Sequence, residues 1–75
     1  MDLTALHGEA LDAARQITDP KDRSQEIAGL AMLQPIGERE ALIDEAVKAA
    51  RNVGDPKQRS QALAYAFLAS TKTVR

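Results

Sequence analysis

Residues 5–28 of this chain recur at 41–64, and the offset of 36 residues is the strongest constraint on what the chain can fold into. Ala5, Leu6, Glu9, Ala10, Ala13, Ala14, Arg15, Asp19, Pro20, Lys21, Arg23, Ser24, Gln25 and Ala28 return as Ala41, Leu42, Glu45, Ala46, Ala49, Ala50, Arg51, Asp55, Pro56, Lys57, Arg59, Ser60, Gln61 and Ala64. A period of roughly 20 to 50 residues marks a repeat architecture, in which one supersecondary unit stacks on its copy because neither buries its apolar face alone.

Composition fixes the kind of core. At 75 residues the chain is expected to form a single helical-repeat domain over 1–75. A chain of that size buries only about 60 to 65% of its unfolded surface, so stability is modest or shared with a partner. Alanine occupies 14 positions against one Phe, one Tyr and no Trp, which points to closely packed helices rather than a bulky core. With no cysteine, disulfides, thiolate metal sites and a Cys nucleophile do not arise. The N-terminus lacks the basic start and apolar run of a signal peptide, and no apolar stretch reaches the roughly 18 residues of a membrane span. A soluble, cytoplasmic protein is the expectation, with no membrane partner.

The punctuation predicts four helices. In 3–17, Leu3, Leu6, Ala10, Ala13 and Ile17 fall at the three- and four-residue steps of one helical face, and Gly8 weakens the segment by up to about 1 kcal/mol. Asp19-Pro20 is a cap followed by the residue favoured at the first helical position, so the second helix spans 20–33 and buries Ile27, Ala28, Ala31 and Met32. It stops at Gln34, whose α conformation Pro35 disfavours, and Ile36 and Gly37 complete a turn. The third helix, 38–53, carries Leu42, Ile43, Ala46, Val47, Ala50 and Val53 on one side. Gly54 ends it, Asp55-Pro56 repeats the cap with Gln58 placed for a capping box, and the fourth helix runs over 56–71. Such short connections make successive helices antiparallel neighbours. The fold class is therefore all-α: two tandem αα-hairpins, one over about 3–35 and one over about 38–71.

Tandem helix pairs of this length resemble the tetratricopeptide and related α-solenoid families. Leu63-Ala64-x-x-Phe67 is similar to the Leu-Gly-x-x-Tyr stretch of a tetratricopeptide first helix, and Pro20 and Pro56 match the proline that closes such a repeat. The chain departs from the pattern in its 36-residue period, in having no Trp, and in placing Ala28 and Ala64 where the family has glycine. The resemblance implies a right-handed stack of hairpins and a surface for binding a protein or peptide.

Asp-Pro-Lys-x-Arg-Ser-Gln, at 19–25 and 55–61, is the most distinctive motif. Lys21, Arg23, Lys57 and Arg59 beside free helix-start amides suit an acidic or phosphorylated group. The structural reading of the same residues is the stronger one: Asp19 to Arg23 and Asp55 to Arg59 are pairs four residues apart, and Asp and Pro form the cap. His7 is the sole histidine, which leaves a metal site only scattered carboxylates and gives Ser24, Ser60 and Ser70 no catalytic constellation. No glycine-rich phosphate loop is present. The sequence thus predicts neither an enzyme nor a cofactor.

Charge divides the chain into two ends. Stacking places Arg15, Lys21, Arg23, Lys48, Arg51, Lys57 and Arg59 on one edge with Asp12, Asp19, Asp22 and Asp55, a surplus of plus three; the remainder carries minus four. Such polarity steers an acidic partner to the loop edge, or one copy head to tail onto another. Nucleic acid is not the expected partner, because the pI is about 5.7 and stacking aromatics are scarce. In the last helix, 62–69 holds no charge: Ser60, Leu63, Ala64 and Phe67 are expected inside the hairpin, and Ala62, Tyr65, Ala66 and Ala69 on an outer face that meets a partner. A protein-interaction or assembly module, with another protein or a second copy as partner in a homo-oligomer, is the expected function. The alternative is a small inhibitor that occupies a larger protein through its Lys21, Arg23, Lys57 and Arg59 edge.

Overall fold

The computed structural model describes residues 3–71 and contains four α-helices: α1 (Leu3–Arg15), α2 (Pro20–Ala31), α3 (Ile36–Arg51) and α4 (Pro56–Thr71). The 36-residue interval recurs at two pairs of element bounds, although α3 and α4 are longer than α1 and α2. α1 and α3 end at Arg15 and Arg51, and α2 and α4 begin at Pro20 and Pro56, in both cases 36 residues apart.

Both Asp-Pro starts are built as the cap chemistry requires. The Asp19 carboxylate accepts the Asp22 amide at 2.9 Å and the Asp55 carboxylate accepts the Gln58 amide at 2.9 Å, each satisfying one amide that the helix leaves without a partner. Asp55→Ala is expected to lower stability by about 0.5 to 2 kcal/mol; an unchanged urea midpoint would show that the cap contributes nothing.

The connection between hairpins differs from the sequence expectation. α2 closes at Ala31 rather than at residue 33, because the Leu33 and Gln34 amides turn back to Leu30 and Ala31, three residues behind, in a tightened last turn. α3 then begins at Ile36 instead of 38. The Pro35 carbonyl accepts the Glu38 and Arg39 amides at 3.0 and 3.1 Å, so Ile36 and Gly37 belong to the first turn of the helix.

α2 is the centre of the packing and touches each of the other three helices, whereas α1 has only α2 as a packed neighbour. Ile27, Ala28 and Ala31 of α2, Leu42, Ile43 and Ala46 of α3, and Ala66 and Ala69 of α4 form the core, with Ala14 of α1 at its edge. Six of these nine core residues are alanine, in keeping with the composition. Ser24 is completely buried among them, and its hydroxyl donates to the Ala46 carbonyl at 2.8 Å, so a polar side chain crosses the α2–α3 contact with its hydrogen bond made.

α1 corrects the expected face. Leu3 and Leu6 are exposed, as are Ala10 and Ala13, while Ala14 is buried and Leu11 and Ile17 pack beside it. α1 packs mainly on α2, and Ala14 with Leu11 and Ile17 beside it is the part of this segment that joins the core. The Cα trace measures 40 × 28 × 14 Å, a flat array in which the end helices keep an open side.

Candidate partner-binding site

On the loop edge, the two motif arginines turn inward to the backbone. Arg23 donates to the Ile17 and Thr18 carbonyls at 2.9 and 3.3 Å, and Arg59 donates to the Val53 carbonyl at 3.0 Å. Each closes the end of the preceding helix, where carbonyls lack helical partners and a cation suits the dipole. Arg39 does the same at the hairpin junction, donating to Gln34 and Met32 carbonyls at 3.2 and 3.4 Å while only 5% exposed. Lys21 is half-buried and Lys57 exposed. Lys57 therefore projects from this edge, and the guanidinium groups of Arg23 and Arg59 hold the loops.

Arg15 is also engaged. Its guanidinium meets Glu45 of α3 in a two-pronged pair at 2.7 and 2.9 Å, with Asp12 at 3.9 Å on its other side. The bonds from Arg15 are the main reason that the Glu45 carboxyl is held below its ordinary range, against the opposing effect of partial burial; they also hold Arg15 above its own. Glu45, grouped by the sequence with the acidic remainder, thus sits against a cation of the basic edge.

The last helix is turned round relative to expectation. Ala62, Ala66 and Ala69 are fully buried, so they are core residues and not an outer face available to a partner. Small side chains are what the close crossing with α2 and α3 accepts, and an uncharged run offered no signal for choosing between its two apolar sides. Tyr65 is 38% exposed and reaches over α2: a Cβ placed on Gly29 would lie 3.9 Å from its hydroxyl. The open side of α4 instead carries Ser60, Ala64, Phe67 and Leu68, with Phe67 66% and Leu68 59% exposed and Leu63 half-buried.

A cleft of about 720 Å³ opens at the other end of the array, between α1 and α2. Leu3, Leu6 and Ala10 line one wall, Leu30 and Leu33 the other, and His7 faces Gln34 across it. The Gln34 side-chain nitrogen lies 2.7 Å from His7 Nε2 and the Leu30 carbonyl 3.3 Å away, so that nitrogen either accepts from the amide or donates to the carbonyl. The cleft went unforeseen because the sequence assigned Leu3, Leu6 and Ala10 to a buried face.

Among the described residues no group of three His, Asp or Glu side chains is placed to hold a metal ion, and no helix is long and apolar enough to cross a membrane. No protein-family model, curated protein or solved structure matches the chain.

Proposed function

We propose that this chain is a protein-binding module of the tetratricopeptide-like, helical-repeat kind, which engages its partner through the open faces at the two ends of the hairpin array. The observation that carries this is the inequality of the two copies. Ser24, Ile27, Ala28 and Ala31 are buried in the array, while their counterparts 36 residues on, Ser60, Leu63, Ala64 and Phe67, are half-buried or exposed. A repeat face with the composition of an interface and no neighbour on it is an apolar surface of the kind that marks binding. The alternative, an inhibitor acting through the Asp-Pro-Lys-x-Arg edge, draws on fewer groups, since Arg23 and Arg59 already serve loop carbonyls.

The reading is tested by photo-crosslinking in cells. With p-benzoylphenylalanine in place of Phe67, discrete protein adducts are expected; in place of Glu40, on the exposed side of α3, they are not. Adducts at position 67 no stronger than those at position 40 would sink the reading.

A further inference from the structure

The chain carries a template for its own continuation. Within the array, the α2 ridge of Ser24, Ile27, Ala28 and Ala31 lies against a receiving surface of Leu42, Ile43 and Ala46 on α3 and Ala66 and Ala69 on α4. Moved forward by 36 residues, the ridge becomes Ser60, Leu63, Ala64 and Phe67, the open side of α4. Moved back by the same interval, the receiving surface becomes Leu6, His7, Ala10, Leu30 and Leu33. All five of these line the α1–α2 cleft. One end of the molecule thus presents the ridge of an interface it already makes, and the other end presents the matching recess.

We infer that copies of this chain stack head to tail, α4 of one copy lying in the α1–α2 cleft of the next as α2 lies on α3 and α4 within a single chain. The inference rests on the protein-binding reading and names its partner as a second copy. Charge supports the same partner. The internal contact is bridged by the Arg15–Glu45 pair, and the same interval converts it to Arg51 of one copy and Glu9 of the next. Both are exposed, and neither forms an ion pair among the described residues. The internal hydrogen bond from Ser24 to the Ala46 carbonyl likewise becomes Ser60 to the Ala10 carbonyl across copies. Size is accommodated as well. Phe67 stands where the ridge had Ala31, and its recess is an open cleft rather than the close alanine crossing of the interior.

A ridge and a recess at opposite ends make the contact heterologous, so association does not stop at a dimer; it continues as a filament unless the rotation per copy closes a ring. Sedimentation and light scattering should give a mass above 8.1 kDa that rises with concentration through the high micromolar range. Phe67→Asp removes the ridge and leaves the cleft, and Leu6→Asp removes the cleft and leaves the ridge. Each alone is expected to associate at least ~10-fold more weakly, because a carboxylate would be buried without a partner. Mixed together, they retain one intact ridge and one intact cleft, and a 1:1 heterodimer is expected. Both side chains are exposed, so helix content should be unchanged; Arg51→Glu mixed with Glu9→Arg provides a second pair should either carboxylate variant misfold.

A wild-type mass fixed at 8.1 kDa overturns the inference, as do single variants that self-associate like wild type or mixtures that never pair. Adducts at position 67 with other proteins only, beside a monomeric wild type, would reject stacking and keep the binding module. Absence of any adduct there would reject the module itself.

Discussion

Ile27→Ala should unfold a large share of this domain, lowering its stability by about 2 to 5 kcal/mol. Ile27 is 1% exposed on the helix at the centre of the packing, so the deleted atoms leave a cavity that no single neighbour can fill by shifting. A domain of 75 residues holds on the order of 5 kcal/mol in total, and the loss is comparable to that reserve. Leu63 occupies the same place in the second copy, 36 residues later, yet is only half-buried. Leu63→Ala is therefore expected to cost distinctly less, measured on dilute protein so that association does not contribute. Urea titrations followed by circular dichroism give both values. Equal losses at the two positions would mean that the repeats contribute alike and that the open side of α4 is covered in solution.

The four helices and the caps at Asp19 and Asp55 were legible in the sequence because they depend on local chemistry. A carboxylate before a proline satisfies a nearby amide whatever the rest of the chain does. The core face of α3 was legible too, since a helix with packed neighbours keeps its large apolar residues on the side that meets them. The errors fell on the end helices. In α1, spacing selected the Leu3-Leu6-Ala10 stripe, but that stripe faces the cleft and the helix buries Ala14 instead. In α4, both sides of 62–69 are apolar, and only the tertiary crossing with its neighbours decides that the alanine side goes inward. Both mistakes have one cause: α1 and α4 lie at the ends of the packing, and each keeps an apolar side that no other helix covers. Residues composed for burial then stand exposed at the ends. The arginines were misplaced for another reason, because their bonds run to carbonyls at positions fixed by loop geometry that a residue spacing does not encode.

Alanine pairs related by the repeat separate these effects most cleanly. Ala28 is fully buried at the centre of the array, and Ala28→Leu forces three further carbon atoms into a crossing that alanines keep close; overpacking of that kind costs about 1 to 3 kcal/mol. Ala64 is its counterpart 36 residues on and is exposed, so Ala64→Leu in dilute solution should leave the stability within about 0.5 kcal/mol of wild type. The two changes are chemically identical, and their helix propensities cancel in the comparison. Only the presence of a neighbouring helix distinguishes them. On the stacking inference, concentration reverses the comparison: Ala64 would occupy the position that Ala28 holds inside the chain, and the added side chain would wedge the contact apart. Ala64→Leu should accordingly be silent in a dilute thermal melt and weaken the rise of mass with concentration. A loss of thermal stability in dilute solution equal to that of Ala28→Leu would contradict the open face, and unaltered association would contradict its use in stacking.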